Sequence, residues 1–149
     1  MYRTIIVPLD GSKRAEAILS HVEQLAYRYN AKVIFLQVIQ PFGTFPGAGT
    51  VSDDLYLKAY KQQELEAENY LAGWEGKFRE KSIKAVKCIA HGPVVVTIIK
   101  VAERESADLI AIASHGRTGL SRVFYGSIAA GLLHSIDRPL LLIRSRKDE

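Results

Sequence analysis

A single cysteine and the absence of any long apolar run remove two large classes of protein at once. One thiol cannot close an internal disulfide, and Cys88 has no partner at CxxC spacing, so a disulfide scaffold and a cysteine-ligated zinc site are both excluded. A reducing, cytoplasmic setting is the expectation. No stretch approaches the roughly 20 apolar residues that span a bilayer, and no membrane role is expected. The opening MYRTIIVPLD has an apolar block too short for the core of a secretory signal, so nothing in it directs export. His21, His91 and His134 are scattered without metal-ligand spacing. A dense basic stripe is missing too. The 20 Lys and Arg against 16 Asp and Glu leave a net charge of +4, and most of them alternate with acids as on solvated helix faces, which argues against a nucleic-acid partner. No repeat, low-complexity tract or linker divides the chain, so its 149 residues are read as one domain, 1–149.

What is present is alternation. Ile5 to Val7, Val33 to Leu36, Leu109 to Ile112 and Leu140 to Ile143 are continuous β-branched or leucine-rich runs, the pattern of parallel strands buried on both faces. These four are expected at the centre of a sheet. A fifth run, Ile83 to Ala90, carries Lys84 and Lys87 and reads as an edge strand, where lysines discourage foreign pairing. Between the runs the period becomes helical: Ala15, Ile18, Leu19, Val22, Leu25, Ala26 and Tyr29 share one stripe. The spacing returns at Ala67, Tyr70, Leu71, Trp74 and Phe78, at Val95, Ile98, Ile99 and Ala102, and at Ala129, Leu132, Leu133 and Ile136. Strand and helix in alternation imply a three-layer α/β/α sandwich around a five-stranded parallel sheet, with right-handed crossovers. The irregular stretch Gln40 to Asp54 is either a surface insertion or a lid after the second strand.

In such sheets ligands bind beyond the carboxyl ends of the strands where the winding direction reverses, which points to the segments leaving the first and fourth strands. After the first comes Pro8-Leu9-Asp10-Gly11-Ser12, which can cap the first helix or present a carboxylate and hydroxyl to a ligand. After the fourth comes ASHGRTGLSRVFYGSIA. Gly116 and Gly119 permit close backbone approach, Arg117 and Arg122 add cationic donors, and Gly126-Ser127 opens the last helix, whose N-terminal N–H groups favour an anion. A phosphate suits that end. Ser127, His134 and Asp137 do not form a hydrolytic triad, because Ser127 and His134 lie seven residues apart on one helix, about 10 Å along its axis.

Taken in order, IIVPLDGS, VIFLQVI, the turn His91 to Pro93, ADLIAIASHGRTGLSRVFYGSIA and RPLLLIR resemble the universal stress protein family over essentially the whole chain. The ATP-binding branch of that family carries a glycine, two residues, a glycine, nine residues, then a glycine followed by a small hydroxyl residue. Gly116, Arg117 to Tyr125 and Gly126-Ser127 match its later part, whereas Ala113 stands at the first glycine. The resemblance implies an adenine-nucleotide alpha hydrolase-like (Rossmann-like) architecture, with Asp10 near the adenine or ribose end; Pro8, Gly11 and Ser12 beside it are further candidate binding residues. It places the backbone around Val38 beside adenine, and Gly116, Gly126 and Ser127 along ribose and phosphates; Ile112, Ala113, His115, Arg117 and Gly119 are further candidate binding residues of the same strand end and loop. The extra methyl of Ala113 obstructs only if the ribose packs on that Cα or if φ must be positive, and ATP binding is expected to survive. Mg2+ would bridge phosphate oxygens, since one carboxylate makes no all-protein cage. The resemblance further implies a homodimer through Pro139 to Arg144.

No acid is positioned to activate water at a γ-phosphate, so hydrolysis is expected to be slow or absent. The leading expectation is a nucleotide-dependent regulatory switch acting on an unidentified protein partner. A weak ATPase using Lys13 or Arg117, and a ligand-independent dimeric adaptor, remain as alternatives.

Overall fold

The computed structural model describes residues 1–41, 53–115 and 126–145. The elements run β1 (Thr4–Pro8), α1 (Lys13–Glu16), α2 (Leu19–Tyr29), β2 (Lys32–Ile39), α3 (Asp53–Glu80), β3 (Ala85–His91), α4 (Val94–Arg104), β4 (Leu109–His115), α5 (Ser127–Ser135) and β5 (Leu140–Ser145). All strand pairings are parallel, in the order β3-β2-β1-β4-β5. The chain winds outward from β1 to β3, then crosses back to β4 and β5. Because each crossover is right-handed, this reversal sends α4 and α5 to the opposite face from α1, α2 and α3.

Strand alternation fills both interfaces. Ile5, Val7, Val33, Phe35, Leu109 and Ala111 face α2 and α3, where Leu19, Val22, Leu71 and Phe78 meet them. Ile6, Ile34, Leu36, Ile110 and Ile112 face α4 and α5 against Ile98, Val101 and Leu132. Phe35 and Phe78 pack edge to face with centroids 4.9 Å apart.

Three expectations are corrected. The helical stripe from Ala15 to Tyr29 is two helices, because the chain turns at Ala17 and Ile18 after α1 is capped by Ser12 Oγ, which accepts from Ala15 N–H at 3.2 Å. Asp53 and Asp54 belong to α3, while the rest of the presumed lid, residues 42–52, lies outside the described residues. β5, expected at the centre, is an edge strand. Leu140 to Ile143 are accordingly only half-buried, and Leu133, placed on the buried stripe of α5, is 49% exposed. The edge position of β3 matches its sequence. α3 shields that edge: Glu75 Oε2 accepts from Lys87 N–H at 2.9 Å and Arg79 Nε donates to Ala85 C=O at 3.0 Å. Among the described residues no helix is long and apolar enough to cross a membrane.

Candidate functional site

β1 pairs with β4 only through Ile5↔Leu109 and Ile6↔Ile110, yet β1 runs on to Pro8 and β4 to His115. The two strands therefore part at their carboxyl ends, at the reversal in winding, and leave a crevice there. On the other side of β1, pairing with β2 ends at Pro8↔Leu36 and the bond from Leu9 N–H to Leu36 C=O, 2.8 Å. The next β2 residue directed toward β1 is Val38. Among the described residues no strand lies opposite its backbone N–H and C=O, so a donor and an acceptor stand side by side above the end of β1.

Two hollows share this place. An apolar pocket of about 120 Å³ is lined by Pro8, Leu36, Val38, Val94, Ile112 and Ala113, among others, with Ile128 of α5 at its border. A larger polar cleft of about 520 Å³ opens toward α3 between Asp10, Gly11, Gln37, Gln63, Glu66 and Tyr70. Asp10, Val38 and Val94 line both. Ala113 lies within β4 and is not among the residues with positive φ, so its methyl is ordinary strand geometry and forms pocket wall.

Asp10 is held by its own turn. Oδ1 accepts from Ser12 N–H at 2.9 Å and Ser12 Oγ–H at 2.5 Å, and Oδ2 pairs with Arg14 at 3.2 Å. Burial alone would raise its pKa, but the two bonds from Ser12 and the charge of Arg14 outweigh it and hold the carboxyl below its ordinary value. An ionised acceptor therefore faces the cleft. Gly11 reaches the required turn at φ +85. Across the cleft, Tyr70 Oη donates to Glu16 at 3.0 Å, and burial followed by that carboxylate pushes the phenol well above its usual range. Gln37 lines the same cleft, and its Oε1 is buried without a partner. Ser114 Oγ is likewise buried and unpartnered at the end of β4.

Gly126 caps α5 at φ +81, a conformation that favours glycine, and among the described residues no side chain caps the helix start. Ser127 follows, exposed on the first turn. Acceptors thus gather at the α3 end of the crevice and the backbone donors of the helix start at the α5 end. A ligand carrying hydroxyl or amino groups at one end and an anion at the other fits that polarity. Among the described residues no group of three His, Cys, Asp or Glu could hold a metal ion.

The family model described as the Universal stress protein family matches residues 1–144. The chain belongs to the universal stress protein family. A universal stress protein of Methanocaldococcus jannaschii is 28% identical, the match covering 100% of this chain and 86% of that protein. The solved structure of a second protein from that organism, MJ0577, superposes with a TM-score of 0.84 at 26% identity, covering 99% of both chains. A universal stress protein of Archaeoglobus fulgidus, solved in complex with dAMP, shares the fold with a TM-score of 0.64 at 19% identity, covering 95% of this chain and 98% of that one.

Of the residues singled out in the sequence, Pro8, Asp10, Gly11, Val38, Ile112 and Ala113 line the two hollows, and Ser12 buttresses Asp10. Gly126 and Ser127 begin the helix bordering the smaller one. His115 closes β4, paired in register with Ser145, while Gly116, Arg117 and Gly119 lie outside the described residues. Sequence reasoning missed Gln37, Gln63, Glu66, Tyr70, Val94 and Ile128. Only Val94 had a local signal, the turn before α4; the others reach the site through tertiary packing.

Proposed function

We propose that this universal stress protein binds an adenine nucleotide, ATP with Mg2+ bridging its phosphates, and acts as a ligand-dependent switch with slow hydrolysis or none. The observation that carries the reading is the unpaired donor and acceptor of Val38 at the mouth of an apolar pocket. Adenine presents an acceptor and a donor side by side on one edge, and flat apolar walls suit its faces. Relatives of this fold have been solved with cAMP, AMP and dAMP. Asp10 is assigned to the ribose and base end, and the Gly126-Ser127 start of α5 to the phosphates. In sequence the phosphate end extends to His115, Gly116, Arg117 and Gly119. The switch acts on a protein partner from a cytoplasmic, one-domain homodimer paired through Pro139 to Arg144.

Calorimetric titration of ATP and Mg2+ into nucleotide-free protein tests the reading. Micromolar-range binding is expected, lost in the double variant Gly126→Val, Ser127→Val, whose branched side chains block the phosphate end. Folded wild type that takes up no nucleotide overturns it.

A further inference from the structure

A run of hydrogen bonds joins the α3 wall of the polar cleft to Asp10 on the opposite side. Tyr70 lines the cleft from α3, its ring packed on the core and its hydroxyl donating to Glu16 Oε2 at 3.0 Å. Glu16 is the last residue of α1, and its N–H donates to Ser12 C=O at 3.3 Å. The Ser12 hydroxyl accepts from Ala15 N–H at 3.2 Å and donates to Asp10 Oδ1 at 2.5 Å. Arg14 of the same short helix closes on Asp10 Oδ2 at 3.2 Å. All of these bonds but the first lie between Asp10 and Glu16, so the turn that carries Asp10 and the helix behind it form one hydrogen-bonded unit. Tyr70 reaches that unit across 54 residues of sequence.

α1 has only four residues, too few to hold a helix by propensity, so its orientation is set by what it touches. Ala15 buries its methyl in the core, a contact without direction. The bond from Tyr70 does have direction: it fixes Glu16, and with it the roll of the helix that presents Ser12 to Asp10. Its acceptor is a carboxylate, which places it in the stronger class of hydrogen bond. Burial first and Glu16 second push the Tyr70 phenol well above its usual range, so the hydroxyl stays a donor at every pH near neutrality.

We infer that Tyr70 is a positioning residue of the nucleotide site: through Glu16 it sets the α1 turn, and thereby the place of the Asp10 carboxylate. The inference rests on the nucleotide-binding reading, in which Asp10 meets the base and ribose end of the ligand. Tyr70 acts on Asp10 rather than on the ligand, because its hydroxyl proton is committed to Glu16. Without that bond the ring keeps its packing and the fold persists, but Asp10 samples more positions and binding must order it. The bond is partly buried, and its loss is expected to weaken affinity about three- to tenfold.

The test is Mg2+-ATP affinity, well below the unfolding temperature, for wild type, Tyr70→Phe, Glu16→Leu, Glu16→Gln and the double variant Tyr70→Phe, Glu16→Leu. Each of Tyr70→Phe and Glu16→Leu should weaken binding about three- to tenfold, and the double variant should bind no worse than either, since both remove the same bond. Glu16→Gln keeps an acceptor for the Tyr70 hydroxyl and should bind as wild type does. Amide exchange over residues 10–17 without ligand should be faster in Tyr70→Phe and unchanged in Glu16→Gln. A Tyr70→Phe protein with a lower thermal midpoint but wild-type affinity, or with unaltered exchange, overturns the positioning role alone. So does a Tyr70→Phe loss that persists beside Glu16→Leu, which would make Tyr70 a ligand contact. Absence of any binding by wild type overturns the nucleotide reading and this inference with it.

Discussion

Asp108 shows how one carboxylate can anchor a strand. Its Oδ2 accepts from Arg3 N–H at 2.6 Å and Thr4 N–H at 2.9 Å, and its own N–H reaches Thr4 C=O at 2.9 Å, fixing the start of β1 against β4. The backbone bonds from Arg3 and Thr4 hold the carboxyl below its ordinary value. A lowered folded pKa means that the folded chain binds fewer protons than the unfolded one. The stabilisation is thus present above the usual Asp value of about 3.9 and disappears as pH falls through the folded value. Asp108→Ala should cost about 1 kcal/mol near neutrality, a figure reduced for the exposure of the site. Urea unfolding of both proteins at pH 7 and again below pH 4 checks this. The difference should shrink in acid, and a constant difference would show that charge is not its source.

Between elements, α4 and α5 approach closely because Gly131 has no side chain. A Cβ there would stand 2.8 Å from Val95 Cγ2, inside any normal contact. Alanine is the better helix former by about 1 kcal/mol, but Val95 is β-branched and has few rotamers with which to retreat. Overpacking costs about 1–3 kcal/mol and outweighs propensity. Gly131→Ala should therefore lower the thermal midpoint in wild type and raise it in a Val95→Ala background. The same sign in both backgrounds would remove Val95 as the cause.

For the whole molecule, the two sheet edges are treated differently. α3 plugs the β3 edge with Glu75 and Arg79. At β5 the bond from Ile110 N–H to Pro139 C=O sets the phase: odd-numbered residues bond to β4, while the backbone groups of Leu140 and Leu142 point outward with no strand opposite among the described residues. Leu133 and Ile128 add exposed apolar surface on α5. The proposed homodimer would cover this side. Leu142→Pro removes an outward N–H while sparing the ladder to β4, so sedimentation velocity should show a dimer converted to a folded monomer. A variant of unchanged mass would move the interface elsewhere.

The sequence by itself determined the alternation of strand and helix and the edge position of β3, because hydrophobic period reports whether each stretch is buried and on how many faces. It could not report which neighbour does the burying. The leucine run of β5 reads as central although it lies at an edge, since an apolar run does not say on which side its neighbours stand. The tertiary structure alone freed the backbone of Val38, by ending β1 early. It alone made α3 a cleft wall and set Glu64 against His91 across 27 residues of sequence. Such contacts depend on where separate elements come to rest, and no local pattern of residues encodes that distance.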